Sequence, residues 1–106
     1  MKLISKAQRK RAEEAVFQAK LILLTSETPL EIEGAHGQGR HDTPNVFYMG
    51  STTANRPDPF WYEHRGGRTY KQTPEEVVRA ILPHVGVEAI EKAVQRHKLT
   101  QVRRSR

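Results

Sequence analysis

Apolar residues recur every three or four positions early in the chain, at Ala12, Ala15, Val16, Ala19, Ile22 and Leu23. That period predicts an α-helix with one stripe turned to a core. Ser5 followed three positions later by Gln8 has the form of a capping box, so the helix is expected over residues 5–24. Phe17, Leu21 and Leu24 widen the stripe in the second half, which is expected to be buried on more than one side. Arg9, Lys10 and Arg11 lie near the start, where cations oppose the helix dipole at a cost of roughly a few tenths of a kcal/mol. A cost without local benefit suggests a use for those cations outside the helix.

After Thr28-Pro29 the period changes to two. Residues 30–33 alternate as a short edge strand does, and residues 46–53 read as a second strand. Between them lies a loop over 34–45 holding Gly34, Gly37, Gly39 and Pro44, and a Pro-containing turn follows over 54–59. Residues 60–65 and 68–72 flank Gly66-Gly67 and predict a β-hairpin, the glycine pair suiting a type I′ turn whose two central residues need positive φ. That register sets Arg65 opposite Arg68, Glu63 opposite Tyr70 and Trp61 opposite Gln72 on one face. Phe60, Tyr62, His64, Thr69 and Lys71 take the other. Both faces carry two aromatics, so the pattern does not choose the buried one.

Thr73-Pro74-Glu75-Glu76 marks a helix start, with Thr73 as N-cap, Pro74 at the first position and Glu76 completing a capping box. Val77, Val78, Ile81, Leu82 and Val85 form its stripe, Pro83 should end or kink it, and Gly86 offers a stop. A last helix is expected over 87–98 with Val87, Ile90, Ala93 and Val94 on one face. The expected fold is α+β: an N-terminal helix, a three- to four-stranded antiparallel sheet with a Gly-Gly hairpin, and two C-terminal helices. At 106 residues it makes a single domain, read as a basic segment over 1–11, a globular body over 12–99 and a basic tail over 100–106.

Charge adds a division that hydropathy does not show. The formal net charge is +6, yet Lys2, Lys6, Arg9, Lys10 and Arg11 precede residue 12, and Arg103, Arg104 and Arg106 follow residue 102. Without those eight, ten Lys and Arg face twelve Asp and Glu, so the body is near neutral and the ends are cationic. Basic ends attract polyanions. The absence of cysteine excludes a disulfide scaffold, a thiolate zinc site and a cysteine nucleophile. No apolar stretch follows the basic start as a signal peptide requires, and the longest uninterrupted apolar run, 21–24, is far too short to span a membrane. A cytoplasmic protein without a membrane partner is expected.

Candidate chemistry is sparse. The hairpin face holding Trp61, Arg65, Arg68 and Tyr70 combines rings that stack bases with cations that meet phosphates, the elements of single-strand binding. Two directly opposed arginines would repel, and a bound anion would relieve them. The alternative reading of that face is a core pair of rings beside solvated arginines. His36, His41 and Asp42 in the Gly-rich loop lack the spacing of a metal site, and Arg40 with the glycines matches no nucleotide-binding fingerprint. Tyr48-Met49-Gly50 with Arg56 resembles the second half of the GIY-YIG nuclease motif. That resemblance implies a nuclease in which Tyr48 and Arg56 act near a metal-binding carboxylate such as Glu75 or Glu76. The first half of the motif is missing. The two last helices have the outline of a helix-turn-helix, but Glu88 and Glu91 at the second helix's start would oppose phosphates. No catalytic residue, metal or cofactor is assigned, and no enzyme is expected.

Three readings follow. The first is a non-catalytic nucleic-acid-binding or accessory protein, DNA or RNA, using Lys6, Arg9, Lys10, Arg11, Arg103, Arg104, Trp61, Arg65, Arg68 and Tyr70. The second is a protein-interaction module, an inhibitor or adaptor acting on a larger enzyme or nucleoprotein complex. The third is the GIY-YIG-like nuclease. The oligomeric state and the partner's identity stay open.

Overall fold

The computed structural model describes residues 5–34 and 46–104, the last two as backbone only. Helix α1 (Lys6–Thr25) leads, strands β1 (Leu30–Glu33), β2 (Val46–Ser51), β3 (Phe60–His64) and β4 (Gly67–Lys71) follow, and α2 (Pro74–Val85) and α3 (Val87–Arg104) close the chain. The four strands pair antiparallel in the order β1-β2-β3-β4, the α+β layout that the sequence implies. Ser5 caps α1 through a capping box with Gln8, and Thr73 caps α2 through one with Glu76. Gly86 ends α2 at φ +86°, ψ 161°, a conformation open only to glycine, and its N–H donates to the Leu82 carbonyl at 2.8 Å. Pro83 neither ends nor stops α2, which continues to Val85. The expected tail is helical as far as Arg104.

All three helices pack on one sheet face. Leu30, Ile32, Phe47 and Met49 point into that layer and meet Ala15, Val16, Ala19, Ile22 and Leu23 of α1, Val77, Val78, Ile81 and Val85 of α2, and Ala89, Ile90, Ala93 and Val94 of α3. Phe60 and Tyr62 pack against this core from β3. The side chains of Trp61 and Tyr70 therefore belong to the opposite, helix-free face. Full burial of an aliphatic side chain contributes about 1.5–3 kcal/mol, and seven large ones, Ile32, Met49, Ile81 and Ile90 among them, are buried almost completely.

Ion pairs fix how the helices run. Glu13 and Lys20 of α1 pair with Arg79 and Glu75 of α2, so these two helices are antiparallel. Arg11 pairs with Glu91, while Glu14, Ala15 and Gln18 share a cleft with Glu91, Val94, Gln95 and Lys98. Helices α1 and α3 therefore run parallel, eighty residues apart at that pair. The second half of α1 is not buried on two sides: Phe17, Leu21 and Leu24 are 46%, 39% and 55% exposed. With α2 on one flank and α3 on the other, nothing among the described residues covers the helix's outer side.

Candidate nucleic-acid interface

The hairpin's register differs from the expected one by two positions. Glu63 pairs with Arg68 and Trp61 with Tyr70, and the turn is Arg65-Gly66, not Gly66-Gly67. Both turn residues have positive φ, +54° for Arg65 and +84° for Gly66, as a type I′ turn needs. The shift is even, so each residue keeps its face. It removes the expected opposition of Arg65 and Arg68. Arg68 instead donates from Nε to Glu63 at 3.1 Å and lays its guanidinium 3.7 Å over the Trp61 ring.

Trp61 is only 5% exposed although it lies outside the helix-side core. Its indole lies across Gly50, where a Cβ would come within 2.7 Å of Cζ2. Tyr70 is half-buried, with the Arg56 guanidinium 3.7 Å over its ring. The helix-free face is thus a layer of rings capped by arginines rather than open rings, and Trp61 is not available for stacking. Tyr48 is its exposed aromatic, directly between Glu31 and Glu63. Carboxylates on both sides disfavour phosphate there.

The two ends of the molecule differ from this face. At the end of α1 where the chain starts, Lys6, Arg9 and Lys10 are exposed and have no ion-pair partner among the described residues. Arg11 is tied to Glu91 in a fork, Nε donating at 2.8 Å, and this holds the Glu91 carboxyl below the usual carboxylate range. The hairpin tip lies at the same end. Phe47 stacks on His64, at 4.1 Å and 7°, and on His84 in the last turn of α2, at 5.8 Å. That last turn lies beside the start of α1, because α1 and α2 are antiparallel. Arg65, exposed and next to His64, therefore lies at the same end of the molecule as Lys6, Arg9 and Lys10. Among the described residues, Glu91 is held by Arg11, Glu88 by Lys92 at 3.4 Å, and Glu33 lies near Arg96 at 4.0 Å. Burial, then Arg65 and then His84, lower the pKa of His64.

Arg103 and Arg104 sit at the far end of α3. Since α3 runs parallel to α1, that is the opposite pole. The fold sets Lys6, Arg9, Lys10 and Arg65 at one end of the molecule; it engages Arg11 and Arg68 in ion pairs, buries Trp61 and half-buries Tyr70, and separates the C-terminal arginines from the rest. Sequence reading set Arg56 beside Tyr48 and missed its place over Tyr70, which depends on a loop conformation; it also missed the polar separation of the two basic ends, which depends on helix direction.

Candidate chemistry does not converge elsewhere. Arg56 lies over Tyr70 rather than at Tyr48, Glu75 pairs with Arg79 and Lys20 on the helical side, and Glu76 completes the α2 cap. Among the described residues no cluster of His, Asp or Glu could hold a metal, and no helix is long and apolar enough to cross a membrane. Residues 35–45, with His36, Arg40, His41 and Asp42, lie outside the described residues. No protein-family model, curated protein or solved structure matches this chain significantly.

Proposed function

We propose that the protein is a non-catalytic, cytoplasmic nucleic-acid-binding accessory protein that grips phosphates with the pole formed by Lys6, Arg9, Lys10 and Arg65. The observation that supports it is the coincidence of the α1 start and the hairpin tip at one end, with four cations free of carboxylate partners among the described residues. These placements are locally unfavourable. Cations in an opening helical turn oppose the dipole, and Arg65 holds a left-handed conformation that glycine or asparagine adopts more cheaply. Neither choice serves the fold, and both serve an anion.

Binding works by counterion release, each neutralised phosphate freeing condensed cations. Base stacking contributes little, since Trp61 is covered. Mobility-shift titrations at low salt with single-stranded DNA, duplex DNA and RNA test the reading: retardation of at least one, lost on reversing Lys6, Arg9 and Lys10 to glutamate, is expected. No retardation of any probe removes it.

A protein-interaction module is a second reading, favoured by a separate observation. Phe17, Leu21, Leu24, Leu99 and Val102 are all exposed on the outer side of the helical layer. The nuclease reading has no comparable support.

A further inference from the structure

Lys6, Arg9 and Lys10 stand at i, i+3 and i+4 on α1, so they share one side of its opening turns, with Lys6 about 5–6 Å from each of the other two at Cβ. The capping box of Ser5 and Gln8 fixes the turn that carries them. All three are exposed, and none has an ion-pair partner among the described residues. Of the carboxylates that follow on the helix, Glu13 pairs with Arg79 at 2.7 Å, and Glu14 accepts from Gln18 at 3.0 Å. Even with Glu14 counted in full, three cations face one carboxylate. The patch is positive by helix geometry alone.

What the patch binds depends on where the rings are. The chain has three Phe, three Tyr and one Trp, and all of them fall in the described residues. Phe47 and Trp61 are buried, Phe60 and Tyr62 pack on the core, and Arg56 covers the Tyr70 ring. Tyr48 and Phe17 are the exposed ones. Tyr48 stands between Glu31 and Glu63 on the helix-free face. Phe17 lies about 10 Å beyond Lys10 along α1, with Glu13 between them on the same side of the helix. The cation over the Phe17 ring, Lys20, is held by Glu75 at 3.7 Å.

Single-strand binding draws on bases stacked on open rings beside cations that track the backbone. Neither exposed ring stands beside an unpaired cation: carboxylates flank Tyr48, and Glu13 separates Phe17 from Lys10. A duplex asks for no ring. Its bases stack on one another, its phosphates carry one charge per about 1.7 Å of axis, and cations alone bind it by counterion release. We infer that the patch of Lys6, Arg9 and Lys10 binds the sugar–phosphate backbone of double-stranded nucleic acid, without reading base sequence. This rests on the nucleic-acid reading above and names its substrate class.

Fluorescence anisotropy of the full chain at low salt tests it, with labelled duplexes of DNA and of RNA and unstructured single strands of equal length as probes. The expected result is at least one duplex bound about tenfold or more tighter than either single strand, with two duplexes of unrelated sequence bound alike. The tighter of the DNA and RNA duplexes identifies the source. Replacing Lys6, Arg9 and Lys10 together by alanine should weaken duplex binding at least about tenfold. Circular dichroism should show that variant folded, since it loses cations that oppose the α1 dipole. Phe17→Ala and Tyr48→Ala should leave duplex affinity unchanged, and the emission of Trp61 should not move at saturation. Single strands bound as tightly as duplexes, or affinity lost with Phe17→Ala or Tyr48→Ala, overturns the duplex assignment and leaves nucleic-acid binding standing. Discrimination between the two duplex sequences by more than about tenfold overturns recognition through the backbone alone. Binding of no probe removes the nucleic-acid reading itself.

Discussion

Arg65 occupies the first position of a two-residue turn at φ +54°, where a side chain's Cβ crowds the backbone and glycine or asparagine is less strained. Replacing it with asparagine should raise stability by roughly 0.5–1 kcal/mol, read as a higher urea midpoint, while weakening nucleic-acid binding. A variant that loses stability would show that the side chain supports the turn. Gly50 presents the opposite constraint: a Cβ there meets the Trp61 ring at 2.7 Å. Gly50→Ala should destabilise by about 1–3 kcal/mol through overpacking and shift the emission of the chain's one tryptophan. His64 gives a pH signature. Its folded pKa is lowered by burial, Arg65 and His84, so the unfolded chain takes the proton first. Stability is complete above its ordinary value near 6.5 and falls as pH drops through the folded value. The melting temperature should decline from pH 7 to 5, and His64→Gln should flatten that part of the curve. Of these features, the sequence announced the glycine-containing turn but not its register, since Arg65-Gly66 and Gly66-Gly67 differ only in whether arginine accepts positive φ.

Elements were the most legible level, because their signals are local. Both capping boxes form where Ser5-Gln8 and Thr73-Glu76 placed them, and each hydroxyl accepts the expected backbone N–H, at 3.1 Å and 3.3 Å. Ser5→Ala and Thr73→Ala should each cost about 1 kcal/mol; thermal melts check this, and Thr73→Ala should matter more where α2 anchors the core. The alternation noted over 30–33 is present in β1, where Leu30 and Ile32 are buried and Glu31 and Glu33 exposed. One error was non-local. Helical spacing grouped Phe17, Leu21 and Leu24 with the core, yet a stripe wider than the available neighbours stays exposed. Pro83 was expected to end or kink α2; the helix does not end there but runs on to Val85, and with one turn remaining a proline forfeits a single backbone bond.

At the scale of the molecule, what matters is direction. One layer of helices covers one sheet face, leaving the other to Arg56 and Arg68 over their rings. Because α1 and α3 are parallel, the two basic ends of the chain lie at opposite poles, and no reading of charge along the sequence reveals that. The hairpin tip joins the N-terminal run, so the positive pole holds Lys6, Arg9, Lys10 and Arg65 while Arg103 and Arg104 stand apart. Reversing the charge of Arg103 and Arg104 should therefore change binding far less than reversing Lys6, Arg9 and Lys10. The most direct measurement is the salt dependence of binding to a labelled oligonucleotide, followed by fluorescence anisotropy. Four phosphate contacts predict a slope of log K against log salt of about −3 to −4, falling to about −1 when Lys6, Arg9 and Lys10 are replaced by alanine. A slope unchanged by that replacement, or affinity that disappears only with Arg103 and Arg104, would contradict the positive pole as the site of contact.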